Sequence, residues 1–205
     1  MKICPGADHT SRADHTSRAR GYPGAVSALK SAIGVVWVVF WVYWLLSAFG
    51  AKHGSWSLRT RPPALIIIIL GFVLIRTIGV GSLAVDSLAL EVVGVIVFLS
   101  GLGLAVWARI YLGRNWGMPM TEKDEPELVT TGPYRLVRHP IYSGILLAVF
   151  GTSLATNLSL LIAAGLIGIY FIYSAKVEEK IMTSSFPNNY PSYRMRTKML
   201  IPFVL

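Results

Sequence analysis

Residues 140–173 read PIYSGILLAVFGTSLATNLSLLIAAGLIGIYFIY. Two apolar runs, Pro140 to about Ala155 and Leu158 to about Tyr173, are separated only by Thr156-Asn157. A bilayer crossing needs roughly 20 apolar residues in a helix. Inside hydrocarbon every backbone N–H and C=O must be paired within its own segment, so both runs read as helices. So short a connection makes them antiparallel neighbours, a tight hairpin. Gly144, Ala148 and Thr152 recur at four-residue spacing on the first run, as do Ala164 and Gly168 on the second. Small residues let membrane helices approach closely, so these stripes are expected to seat the hairpin.

Three further apolar runs precede this pair. One extends from about Val26 to Phe49 and carries Trp37, Trp41, Tyr43 and Trp44. The next follows Pro62-Pro63 and runs from about Ala64 to Val85, with Arg76 inside it. A third covers about Leu88 to Ala108. The expected fold is an all-α integral membrane protein of about five transmembrane helices. Composition agrees. Of 205 residues, 54% are hydrophobic and 14% charged, against roughly a quarter charged in soluble domains.

Basic residues set the expected orientation. Lys52, Arg59 and Arg61 follow the first run, Arg109, Arg114, Lys123, Arg135 and Arg138 follow the third, and Lys176, Lys180, Arg194, Arg196 and Lys198 follow the fifth. The other two loops hold Asp86 and Thr156-Asn157, without Lys or Arg. The odd-numbered loops and the C-terminus are therefore expected in the cytoplasm. Basic Lys2, Arg12, Arg18 and Arg20 in the N-terminal tail run against that assignment. The net charge of +9 reads as loops facing anionic lipid, not as a nucleic-acid surface, because the cations flank apolar runs. Cys4 is the single cysteine, which excludes an intramolecular disulfide. Residues 1–24 contain Ala7-Asp8-His9-Thr10-Ser11-Arg12 repeated as Ala13 to Arg18, and read as a disordered tail. His9 and His15 alone supply too few ligands for a metal site. Residues 25–205 then form one membrane domain.

Two polar stretches, 109–140 and 174–205, bracket the hairpin on one side and should meet. In the first, Gly132-Pro133 marks a turn. Pro140 suits the first helical turn, and His139 before it is biased away from helical angles. A helix start offers unpaired N–H groups and partial positive charge, and with Arg138 beside it can seat a carboxylate or phosphate. In the second, Glu178-Glu179 can hold an amine or ribose hydroxyls. Phe186 through Tyr193 is an aromatic segment broken by two prolines, able to lie over a pocket or the bilayer interface. The final Leu200 to Leu205 is apolar and is expected to pack onto protein or lipid.

Taken in order, Gly113-Arg-Asn115-Trp116, Leu128-Val129-Thr-Thr-Gly132-Pro-Tyr134, Arg138-His139-Pro140-Ile-Tyr142, Glu178-Glu179 and Phe186 through Tyr193 resemble the isoprenylcysteine carboxyl methyltransferase family and its phospholipid-methyltransferase relatives. The resemblance covers roughly residues 90–205. It implies S-adenosylmethionine bound at the cytosolic surface beneath the C-terminal tail, within about 113–142 and 174–205. Leu128, Val129, Tyr134, His139, Pro140, Ile141, Tyr142 and Glu178 match cofactor-contacting positions. Thr121 matches another, across a shorter loop. The implied activity is methyl transfer to a lipophilic or prenylated acceptor arriving from the membrane lipids. Arg138 and Lys176 are the candidates for orienting the acceptor. His139 and Glu179 are the candidates for taking a proton from an amine or thiol. No metal is implied.

One position departs from the pattern. Prenylcysteine methyltransferases carry an arginine four residues before the first Glu of the pair, where this chain has Ser174. Such an arginine would pair with the acceptor's carboxylate. The methyltransferase class is thus better supported than a prenylcysteine acceptor, and a phospholipid N- or thiol S-methyltransferase stands as the alternative. A nicotinamide-dependent (NADPH) membrane reductase and a non-catalytic membrane scaffold are the competing classes.

Overall fold

The computed structural model describes residues 23–48, 54–55, 83–116, 122–123 and 127–202. Five helices organise them: α1 (Pro23–Ala48), α2 (Leu88–Leu112), α3 (Pro140–Thr156), α4 (Leu160–Ser185) and the short α5 (Tyr190–Arg196). Short 3-10 turns occupy Gly113–Asn115 and Gly132–Arg135. A two-residue antiparallel ladder pairs Gly54 with Lys123 and Ser55 with Glu122.

Among the described residues, three helical segments are long and apolar enough to cross a membrane: Ser27–Ser47, Leu88–Leu112 and Leu160–Ser185. Helix α3 is apolar but shorter, at 17 residues. Large apolar side chains cover the outside of these helices, among them Val38, Leu45, Leu46, Leu88, Ile96 and Ile110. Water would not tolerate so extensive an apolar surface, and lipid does. This is a membrane protein. The run expected over 64–85, with Arg76, and the tail 1–24 lie outside the described residues, apart from Leu83–Val85 and the first two residues of α1.

The core is built on one close helix contact. Gly94 and Gly101 of α2 meet Gly144, Ala148, Gly151 and Ala155 of α3, running antiparallel. A Cβ added to Gly94 would stand 2.4 Å from Ala155 N, and one on Gly101 would stand 2.4 Å from Ala148 N. Reciprocally, a Cβ on Gly151 would be 2.3 Å from Phe98 N. Backbone touches backbone here. The small stripe read from the sequence is therefore real but has a different partner. Gly144 and Ala148 seat α2, while a Cβ on Gly168 of α4 would find only Leu146 Cδ2 at 3.7 Å. Spacing identifies which face of a helix is small, not which helix fills it.

Helix α1 lies along this pair. Trp37 contacts Phe98 with ring centroids 5.7 Å apart, and its Nε1 donates to Thr152 Oγ1 at 3.1 Å. Nearer its end, Trp44 meets Trp116 edge-on at 5.8 Å, and Arg109 Nη2 donates to Ser47 O at 2.5 Å. Low numbers meet low and high meet high, so α1 and α2 are parallel.

The connections sort by end. Hairpin α3–α4 closes through Asn157, whose Oδ1 accepts from Ser159 N at 2.8 Å. The segment before α2 docks there: Leu158 N donates to Leu83 O at 3.0 Å, and Val85 N to Thr156 O at 3.3 Å. At the opposite end the 54–55 ladder joins the loops that follow α1 and α2. The same end gathers the start of α3 and the polar part of α4. Loops with basic residues thus share one end, and the two loops without them share the other.

Candidate active site

At the basic end the α3 start is fixed by glycine, proline and the C-terminal tail. Gly132 adopts φ 58°, and a Cβ there would collide with the Tyr111 ring at 2.5 Å. The turn it begins buries Tyr134, whose hydroxyl donates to Ala108 O at 3.3 Å. His139 sits before Pro140, the first residue of α3, as its non-helical cap. Tail residues 197–200 run beside it. Arg138 N donates to Lys198 O at 2.8 Å, His139 N to Met199 O at 3.0 Å, and Ser143 Oγ to Leu200 O at 2.5 Å. Tyr193 Oη anchors α5 by donating to Tyr134 O at 2.6 Å. Burial raises the phenols of Tyr134, Tyr190 and Tyr193, the last to about 12, so all three remain neutral.

Helix α4 continues past its apolar part to Ser185, and this polar extension delivers the acidic pair. Lys, Glu, Ile and Met are strong or adequate helix formers, so no break occurs at Tyr173. Consecutive residues on a helix diverge by about 100°, and the two carboxylates accordingly take different partners. Glu178 Oε1 accepts from Tyr142 Oη at 2.5 Å, and its Oε2 lies 3.4 Å from His139 Nδ1. Glu179 Oε1 accepts from Arg138 Nε at 2.6 Å, and its Oε2 lies 3.4 Å from Arg194 Nε. The His139 ring stacks on Tyr142 at 5.5 Å, and Tyr142 on Phe171 at 4.4 Å.

Histidine 139 is thus enclosed by two acids. Its Nε2 lies 3.7 Å from Glu179 Oε1 and is buried without a hydrogen bond. Burial alone would lower its pKa; the Glu178 and Glu179 carboxylates outweigh this and raise it above the ordinary value.

Of the residues singled out in the sequence, His139, Tyr142, Glu178, Glu179 and Arg138 form one connected cluster. Pro140 and Ile141 are buried at its edge, and Leu128 and Val129 are half-buried on the approach to the Gly132 turn. Tyr134 is buried against α2. Arg138 is consumed within the protein: besides Glu179, its Nη1 donates to Thr197 O and, at 3.2 Å, to Arg194 O. Lys176 does not join the cluster. It lines an exposed groove between α4 and α5. Thr121 lies outside the described residues. Sequence reasoning missed the backbone pairing of 197–200 with 137–139, since such bonds have no side-chain signature. It also missed Arg109, a buried guanidinium held by Gly113 O at 2.7 Å and placed 4.7 Å over the Trp116 ring.

Residues 90–189 match the phospholipid methyltransferase family. A solved eukaryotic intramembrane Ras methyltransferase, isoprenylcysteine carboxyl methyltransferase, superposes with a TM-score of 0.55 at 25% identity, over 70% of this chain and 53% of that one. Over this region the chain is similar to the phospholipid methyltransferase family and to isoprenylcysteine carboxyl methyltransferase. Methanethiol S-methyltransferase 1 of Bradyrhizobium diazoefficiens is 35% identical over 40% of this chain and 28% of its own length. A methanethiol S-methyltransferase of a Pseudomonas species is 27% identical over 87% of this chain and 80% of its own. The chain thus spans only about half of the solved methyltransferase and 28% of the Bradyrhizobium relative. The family match runs from α2 to just short of α5 and takes in Arg138, His139, Tyr142, Glu178 and Glu179 of the cluster.

Proposed function

We propose that this protein is a membrane methyltransferase that binds S-adenosylmethionine where the start of α3 meets Glu178, and passes the methyl group to a lipophilic acceptor from the bilayer. The convergence of His139, Tyr142 and Glu178 carries this reading. The residues present suit the cofactor. In the first turn of α3, Pro140 has no N–H and Ser143 N donates to His139 O, which leaves the Ile141 and Tyr142 amides without an intrahelical acceptor to favour an anion, matching its carboxylate. Glu178, held between Tyr142 and His139, offers a partner for its ammonium. Ile141, Leu128 and Val129 supply apolar walls.

When bound, the cofactor would supply an electrophilic methyl on a cationic sulfur whose charge is lost on transfer. Catalysis then rests on aligning the acceptor and excluding water, not on building charge. A buried stack of His139, Tyr142 and Phe171 beside the membrane core suits such a dry site. An amine or thiol acceptor must lose a proton. Glu179 is engaged by Arg138 and Arg194, so the neutral form of His139, populated above its raised pKa and with Nε2 buried without a hydrogen bond, is the better recipient. By the distribution of basic residues, the site and the C-terminus face the cytoplasm.

A neutral thiol is favoured over a carboxylate acceptor by Ser174. It stands where the prenylcysteine enzymes carry arginine, is fully buried, and donates to Tyr170 O at 2.9 Å. No side chain there supplies a cation. The methanethiol S-methyltransferases among its relatives support this choice.

The test supplies purified protein with methyl-labelled S-adenosylmethionine and, in parallel, a short alkyl thiol, a farnesylcysteine analogue and phosphatidylethanolamine. Label in the thiol, lost in Glu178→Ala, is the expected result. Labelled prenylcysteine would overturn the acceptor assignment. Stabilisation by NADPH but not by S-adenosylhomocysteine would replace the reading with a reductase, and stabilisation by neither would make the chain a scaffold.

A further inference from the structure

Beyond Tyr173, one face of α4 departs from the catalytic cluster and opens a groove of about 650 Å³ against α5. Its lining includes Tyr173, Lys176, Lys180, Thr183 and Ser184 from α4, and Arg194 from α5. Three- and four-residue spacings put the α4 members on a single stripe. Neither Lys176 nor Lys180 has an ion-pair partner among the described residues. The one acid in the wall, Glu179, is shared by Arg138 at 2.6 Å and Arg194 at 3.4 Å. The groove is therefore a cationic recess with its acid already neutralised.

Position along the helix indicates what it holds. Ile169, exposed on the same face one turn earlier, precedes exposed Tyr173, then the lysines, then the hydroxyls. Apolar, aromatic, cationic and hydroxyl groups follow one another in the order of acyl chain, interface, phosphate and headgroup in a leaflet. Thr183 Oγ1 and Ser184 Oγ donate to Glu179 O at 2.6 Å and Lys180 O at 3.1 Å, which leaves their oxygen lone pairs turned to accept.

We propose that this groove binds the headgroup of an anionic phospholipid, with the phosphodiester between Lys176, Lys180 and Arg194 and one acyl chain along Tyr173 and Ile169. The groove shares Glu179 with the cluster, but binding of a headgroup there does not depend on the methyl-transfer chemistry. Arg194 links it to the tail, because its carbonyl accepts from Arg138 Nη1. A bound headgroup thereby holds α5 and the strap of 197–200 over the α3 start.

The experiment is native mass spectrometry of the full chain released from mixed micelles holding equal phosphatidylglycerol and phosphatidylcholine. Phosphatidylglycerol has no amine or thiol, so its retention is not acceptor binding. The wild type is expected to retain it preferentially. Each basic residue near an anionic headgroup contributes roughly fivefold in affinity, so Lys176→Gln with Lys180→Gln should lose about twenty-five-fold. Each single variant should lose part, and Lys198→Gln, outside the groove, should lose little. Equal retention of the two lipids, or undiminished preference in the double variant, would overturn the proposal. Displacement by an equal concentration of glycerol phosphate would also overturn it, by making this a site for soluble phosphate esters.

Discussion

His139 Nδ1 stands 3.4 Å from Glu178 Oε2, while Tyr142, one helical turn further on, donates its hydroxyl to Oε1 of the same carboxylate. One acid thus closes the gap between the start of α3 and the polar end of α4. Removing the hydroxyl in Tyr142→Phe takes a donor from a charged acceptor. Such bonds contribute about 1.5–3 kcal/mol, so affinity for S-adenosylhomocysteine should fall roughly ten- to hundredfold if Glu178 must be held in place to meet it. Titration calorimetry checks this, and unchanged affinity would detach Tyr142 from the site.

Arg138 has a mainly architectural place. Its guanidinium joins Glu179 to the carbonyls of Arg194 and Thr197. Arg138→Ala should destabilise the protein by about 3 kcal/mol, because it leaves a mostly buried carboxylate without its nearest cation. Limited proteolysis should then cut within residues 190–200 faster than in the wild type. Arg138→Lys should recover only part of the protection, since an ammonium cannot reproduce the guanidinium fork.

The pH dependence follows from His139. Its pKa is raised in the folded protein above the ordinary 6.5. Protonation therefore favours the folded state. That contribution is complete below about 6.5 and is lost as pH rises through the folded value. Unfolding midpoints measured across this range should decline on the alkaline side. Glu178→Gln should flatten the decline, because it removes one of the two carboxylates responsible.

Two neighbouring glycines offer a paired test of the core. At Gly101 a new methyl would press into the α3 backbone, whereas at Gly103 nothing lies within 4 Å. Gly101→Ala should cost about 1–3 kcal/mol through overpacking. Gly103→Ala, at a helix interior facing open space, should be neutral or stabilising by up to about 1 kcal/mol. Thermal unfolding in detergent distinguishes them.

Much of this architecture was legible in apolar run length. The runs that became α1, α2 and α3 ended within a few residues of their limits because hydrocarbon demands uninterrupted helices. Lys/Arg counts sorted the loops into two sets, and the pairings of Ala84 with Asn157 and of Gly54–Ser55 with Glu122–Lys123 gather those sets at opposite ends. Hydropathy failed where α4 turned polar at Ser174, although its residues keep helical propensity to Ser185. Of the site, His139-Pro140 and Glu178 were visible because capping and charge leave sequence traces. The engagement of Arg138 by the tail was not, because it depends on carbonyls that every residue carries.

On the proposed reading, the α3 start and Glu178 form one binding site for S-adenosylmethionine. The direct measurement is calorimetric titration of S-adenosylhomocysteine into purified wild type, His139→Ala and Glu178→Ala, each first shown to be monodisperse. Saturable one-site binding by the wild type, weakened at least about tenfold in both variants, is the predicted result. Binding of equal strength by all three proteins, or no binding by a folded wild type, would contradict it.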